Sequence, residues 1–224
     1  DLKNAGHQVI LVSSGAIGMG VGKLNLPGKP SDMPTKQAAA AVGQCELMYT
    51  YDKLFLQYNH PVAQVLLTGE DVDHPERREN FENTMERLLE LGALPVINEN
   101  DTIATAEIKV GDNDTLGAIV ACCTKADLLV LLSDIEGLYT ADPRKDPNAK
   151  LIPTVEEVTP EIEALAGGVG SSLGTGGMAT KLRAAKMVTA QGCDMVSTNG
   201  EHPERLYDIA EGKDVGTRFV AHKA

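Results

Sequence analysis

An α/β fold with parallel strand pairing is predicted by three observations. Short runs rich in Val, Ile and Leu recur along the chain, helical patterns separate them, and a polar cluster follows each run. The runs are Gln8 to Val12, Val62 to Leu67, Leu94 to Ile97, Leu128 to Leu132 and Asp194 to Ser197. Each is too short for a helix and apolar enough for a buried strand. Helical patterns lie between them at Thr35 to Tyr58, Arg77 to Leu91, Thr115 to Cys123, Ala179 to Ala190 and Pro203 to Ala210. Strands alternating with helices pair in parallel, and ligands of such sheets sit beyond the carboxyl ends of the strands. The residues to inspect are therefore Ser13-Ser14-Gly15, Thr68-Gly69, Asn98 to Asp101, Ser133-Asp134 and Ser197-Thr198-Asn199.

Taken in order, the opening D-L-K-N-A-G-H reads as the last turn of a helix with Gly6 as its C′ residue, followed at once by a strand. A chain missing its first strand and helix is the expectation. The helix from Thr35 carries small residues on one face, which suits close packing on the sheet or across a dimer, the sheet being the default. No linker, repeat or low-complexity tract divides the 224 residues, so a single domain spanning 1–224 is expected.

The net charge of −12 argues against a nucleic-acid surface, because phosphate backbones are gripped by clustered Lys and Arg. Cys122 and Cys123 are adjacent while Cys45 and Cys193 stand alone, so there is no C-x-x-C spacing for a metal or redox pair, and a reducing, cytoplasmic setting is the simplest expectation. No apolar stretch approaches the roughly 20 residues that span a bilayer, and no membrane partner is expected.

Two segments carry the chemistry. Val96 to Asp114, V-I-N-E-N-D-T-I-A-T-A-E-I-K-V-G-D-N-D, packs acids and amides into one loop after a strand. Ionised carboxylates only accept hydrogen bonds, so Asp101, Asp112 and Asp114 must hold a cation, orient a lysine or cap backbone N–H groups. With Asn98, Asn100 and Asn113 they suit a pocket for a small zwitterion such as an amino acid; the competing reading is a surface loop with Asp114 as N-cap of the next helix. The second segment, Gly167 to Gly177, is the most glycine-dense and leads into the helix carrying Lys181. Backbone N–H groups converging at a helix N-terminus suit a phosphate, although no G-x-x-x-x-G-K-[ST] string occurs and a flexible surface loop has the same composition.

Four strings together resemble the amino acid kinase family: V-S-S-G-A-I at Val12 to Ile17, I-N-E-N-D with E-I-K-V-G-D-N-D at Ile97 to Asp114, L-S-D-I-E-G-L-Y-T-A-D-P-R at Leu132 to Arg144, and G-T-G-G-M-A-T-K at Gly174 to Lys181. The second and fourth are specific to the branch that phosphorylates L-glutamate. The resemblance implies a three-layer αβα sandwich with a mainly parallel central sheet, lacking here the family's first strand and its lysine, and lacking the C-terminal PUA domain of many bacterial members. It implies transfer of the γ-phosphoryl group of ATP to the side-chain carboxylate of L-glutamate, with Mg²⁺, as the first step of proline synthesis. It also implies proline as feedback inhibitor and a homo-oligomer, dimer or tetramer. Phosphorylation of acetylglutamate or aspartate, or a catalytically impaired binding module, are the alternatives.

By the same resemblance Lys181 stabilises the transferred phosphoryl group, Asp114 orients the lysines, and Ser14, Asp101 and Asn113 bind glutamate. Ser133, Asp134, Thr175, Gly176, Gly177, Met178, Ala179, Thr180 and Lys181 meet ATP. A carboxylate acceptor with pKa about 4.3 is already ionised at neutral pH and needs no general base. None of His7, His60, His74, His202 or His222 lies in a matched string. Mg²⁺ commonly binds through substrate phosphates and water, so no metal residue is expected.

Overall fold

The computed structural model describes residues 1–105, 110–166 and 177–222. The chain divides into two compact units, Asp1–Asn113 and Asp114–Ala224.

The first unit opens with the anticipated helical turn. Gly6 has φ +96, and the pair of bonds from His7 N–H to the Leu2 carbonyl (3.1 Å) and from Gly6 N–H to Lys3 (3.0 Å) closes it in a Schellman motif. There follow β1 (Leu11–Val12), α1 (Ala16–Lys23), α2 (Met33–Leu56), β2 (Val62–Leu67), α3 (Gly69–Asp73), α4 (Pro75–Glu90) and β3 (Leu94–Glu99). The strands form a parallel sheet in the order β1-β3-β2, with Val12 opposite Ile97 and Leu67 opposite Glu99. Central β3 is buried along its whole length, and Phe81 and Met85 are the buried residues of α4.

Local chemistry sets the helix ends. Asp32 caps α2, its carboxylate accepting from Thr35 N–H at 2.9 Å, with Pro34 in the first turn. Thr68 and Asp71 close a capping box at α3. The small face of α2 does not simply lie on the sheet: a Cβ on Gly43 would fall 1.7 Å from the Ala16 carbonyl oxygen, and one on Gly20 would fall 1.8 Å from that of Ala39. Backbone meets backbone where α1 crosses α2.

In the second unit α5 (Asn113–Cys123), which begins on the last residue of the first unit, leads to β4 (Leu128–Ser133), β5 (Thr154–Val155), α6 (Pro160–Ala166), α7 (Met178–Thr189), β6 (Asp194–Asn199), α8 (Arg205–Ala210) and β7 (Thr217–Phe219). The sheet order is β4-β6-β7-β5; β4 runs parallel to β6, whereas β7 is antiparallel to it. Ala118 and Ala121 of α5, Leu182, Ala185 and Val188 of α7, and Leu131, Met195 and Phe219 of the strands make one apolar core. The mixed α/β class with parallel-rich sheets is as anticipated, with eight helices among the described residues. The strands β5 and β7 and the short helices α1, α3 and α6 were not.

Candidate active site

Parallel pairing gathers strand ends. In the first unit Ser13 and Thr68 follow β1 and β2, and Asn98–Asp101 spans the end of β3, all at one sheet edge. Ser13 N–H donates to the Ile97 carbonyl at 2.8 Å, and its hydroxyl lies 2.8 Å from the Tyr51 hydroxyl of α2. Ser14 is exposed, next to Gly15, whose φ of +101 turns the chain into α1. Asn113 is tied to this turn, its Nδ2 donating to the Ser13 carbonyl at 2.7 Å.

Asp101 is half-buried and lines a small recess with Ala16, Ala40, Gln44, Glu99 and Asn100. Buried Glu99 accepts from Val110 N–H at 2.6 Å and from Gly111 N–H at 3.4 Å, so its carboxylate holds the returning arm of the loop against the end of β3. Residues 106–109, which include the E-I-K that opens the E-I-K-V-G-D-N-D string, lie outside the described residues.

The second unit holds a buried ion pair. Lys181, the fourth residue of α7, donates from Nζ to Asp114 Oδ2 at 3.0 Å, with side-chain exposures of 6% and 16%. The Thr180 hydroxyl sits 2.7 Å from the same carboxylate oxygen and 2.6 Å from the Gly177 carbonyl, two acceptors competing for one proton. Asp114 lies within the first turn of α5, and its side chain reaches Thr180 and Lys181. The competing reading of Asp114 as N-cap is corrected, because α5 already begins at Asn113 and Asp114 lies inside the helix.

Gly177 is the N-cap of α7 and no side chain caps that end, which leaves Met178 and Ala179 in a first turn of the kind that receives anions. An uncapped 12-residue helix beside a buried ammonium fits a polyphosphate. Thr175 and Gly176, with the rest of 167–176, lie outside the described residues.

Ser133 ends β4 opposite Asn199 of β6. Its hydroxyl turns back on its own loop, donating to the Ile135 carbonyl at 3.2 Å, while Asp134 is exposed. The segment beyond it folds back on itself through a Tyr139–Leu151 bridge and a bond from Thr140 N–H to Lys150 at 2.9 Å. Asp142 accepts from Arg144 N–H at 3.0 Å. That backbone bond, ahead of the Arg144 side chain, holds its carboxyl below the usual range. Among the described residues no group of three His, Cys, Asp or Glu side chains could hold a metal, and no helix is long and apolar enough to cross a membrane.

A parallel-edged α/β unit bearing amides and acids, joined to one bearing a buried lysine at a helix start, defines a phosphotransferase of a particular class: the chain belongs to the amino acid kinase family, whose model matches residues 1–199. Within that class it is similar over its whole length to the glutamate 5-kinases of Clostridium perfringens (54% identity) and Clostridium tetani (56%), spanning 84% of each. The solved carbamate kinase from Giardia lamblia bound to AMP-PNP shares the fold, with TM-score 0.68 and 19% identity over 99% of this chain and 86% of that one.

Sequence reasoning missed Gln44, Tyr51 and Glu99. Glu99 had a visible signal, a carboxylate between two asparagines at a strand end. Gln44 had a weaker one, an amide within an alanine-rich helix face.

Proposed function

We propose that this chain is a single kinase domain that transfers the γ-phosphoryl group of ATP to the side-chain carboxylate of L-glutamate, giving L-glutamyl 5-phosphate and ADP at the first step of proline synthesis. The observation that carries the reading is the buried Lys181–Asp114 pair at the uncapped start of α7. Full-length similarity to glutamate 5-kinases supports the choice of acceptor.

The acceptor attacks as a carboxylate, so the protein's task is to offset repulsion between anions and stabilise charge spreading over the phosphoryl oxygens. Lys181 has three ammonium N–H donors, one of them given to Asp114 at 3.0 Å. Asp114 thereby fixes the position of the ammonium, and no proton transfer is asked of it. Gly177, Met178, Ala179 and Thr180, with Thr175 and Gly176 before them, would hold the triphosphate, and Ser133, Asp134 and the Tyr139–Arg144 segment the nucleoside. Mg²⁺, when bound with ATP, supplies further neutralisation of the phosphate oxygens.

In the first unit Asp101 would pair the α-ammonium of glutamate, while Ser14 and Asn113 offer a hydroxyl and an amide. A carboxylate placed for an ammonium rejects diacids lacking one, since it would be left unpaired. The reading takes in proline competing at the same recess, a homo-oligomer, and a cytoplasmic setting, which the four free thiols suit.

Hydroxylamine trapping of the acyl phosphate across glutamate, N-acetylglutamate and aspartate tests the acceptor, and glutamate alone is expected to give hydroxamate. Asp101→Ala is expected to raise the KM for glutamate by ten- to a hundredfold, roughly the loss of a charge-assisted hydrogen bond, with the KM for ATP unchanged. Equal rises in both would remove Asp101 from the glutamate site.

A further inference from the structure

We propose that Gln44 is a positioning residue for the acceptor amino acid, acting through Asn98 in a relay of side-chain amides whose direction a backbone N–H sets. The proposal rests on the glutamate reading of the recess.

The relay joins three elements. Glu99 N–H donates to Asn98 Oδ1 at 2.9 Å, Asn98 Nδ2 donates to Gln44 Oε1 at 3.0 Å, and Gln44 Nε2 donates to Gln64 Oε1 at 3.0 Å. An amide side chain alone can turn over and exchange its donor for its acceptor. Here the first link is a backbone N–H, which can only donate, so Asn98 must present Oδ1 to it. Asn98 then has only Nδ2 to offer Gln44, which must answer with Oε1, and Gln44 in turn meets Gln64 with Nε2. Every orientation follows from the first.

Asn98 and Gln44 are 4% and 7% exposed, whereas Gln64 at the far end is exposed. Burying an amide beside Ala39, Ala40, Gly43 and Leu47 on the inner face of α2 is unfavourable unless its polar atoms are paired. The relay supplies that pairing and leaves each amide one further N–H.

Gln44 lines the recess with Glu99 and Asp101. A zwitterion needs acceptors for its ammonium and donors for its carboxylate. Carboxylates meet the first need, and amides locked with N–H groups to spare meet the second. Were Gln44 unable to hold Asn98, that amide would keep its Oδ1 on Glu99 N–H but lose its second anchor, and its Nδ2 donor would be aimed less closely.

Gln44→Met keeps length and volume while removing both bonds. Expected is a rise of about fivefold in the KM for glutamate, the loss of one neutral hydrogen bond, with kcat and the KM for ATP within twofold. A purely structural role would instead lower the melting temperature and the active fraction and leave both KM values in place, and that result overturns the proposal. In an Asn98→Ala background Gln44→Met is expected to add no further rise; additive effects would show that Gln44 does not act through Asn98. Should Gln44→Met fail to fold, Gln64→Leu at the exposed end is expected to raise the KM for glutamate about twofold, and an unchanged value overturns the relay. Wild-type protein that forms no glutamyl phosphate would sink the glutamate reading itself. Active wild type with an unaffected Gln44→Met sinks the relay alone.

Discussion

Lys181 and Asp114 show how one contact can serve folding and chemistry with different energetics. Taking two charges out of water costs several kcal/mol each, and their attraction offsets this only when geometry is good, so such a pair adds little net stability. Removing one partner is another matter. Lys181→Met leaves Asp114 with the Thr180 hydroxyl and no counter-charge, which is expected to cost about 3 kcal/mol and to lower kcat by at least a hundredfold through loss of phosphoryl stabilisation. The double variant Lys181→Met/Asp114→Leu separates the roles, since it removes the stranded charge together with its partner. Thermal melting should return close to wild type while kcat stays low; recovery of both would mean that Lys181 has no part in the transfer.

At the scale of elements, the crossing of α1 on α2 is the feature on which the acceptor side depends. The sequence of α1, A-I-G-M-G-V-G-K, carries three glycines in eight residues and is a poor helix by propensity. It forms because Gly20 and Gly43 let the two backbones touch, and this contact holds the Ser13–Gly15 turn where Asn113 can bond it. Gly43→Ala would drive a methyl group into the Ala16 carbonyl. Overpacking of backbone against backbone is expected to cost about 2–3 kcal/mol, read as a fall in melting temperature of about 5–10 °C, and to raise the KM for glutamate more than that for ATP. An unchanged melting temperature would mean that the helices stand further apart. The same region marks the limit of what the chain discloses by inspection. Strand β4 was legible because its uninterrupted Leu and Val run admits few other readings, whereas β2, broken by Gln64, and β6, D-M-V-S-T-N, were legible by their place between helical patterns. Helix α1 was not, since its stability lies in a partner about twenty residues away, and β5 and β7 are too short to carry a pattern and owe their pairing to each other and to β6. The site divides in the same way. Its acids and the lysine were visible as strings, whereas the amide relay needed the register that sets Gln64 two residues before Leu66, the partner of Asn98.

At the scale of the molecule, an acidic protein has to bind two anionic ligands. A net charge of −12 repels them at long range, but that field is screened over about 8 Å at physiological ionic strength. Affinity must come from donors placed within contact distance, and each unit has its own set: strand-end hydroxyls and amides in the first, the start of α7 and Lys181 in the second. The two sets share one covalent element, since Asn113 bonds Ser13 while its neighbour Asp114 bonds Lys181. Ligand-specific protection should follow that division. A ligand at a hundred times its Kd slows any opening that requires its release about a hundredfold, so hydrogen exchange can place each ligand separately. L-Glutamate alone is expected to protect the Asn100, Val110 and Gly111 amides, which bond Leu67 and Glu99 in the free protein. AMP-PNP alone should protect Thr180 and Lys181, whose amides bond Gly177 at 3.1 and 3.4 Å. If glutamate protected only the start of α7 while the nucleotide protected the 98–113 segment, the division of labour between the units would be the reverse of the one argued from their donor sets.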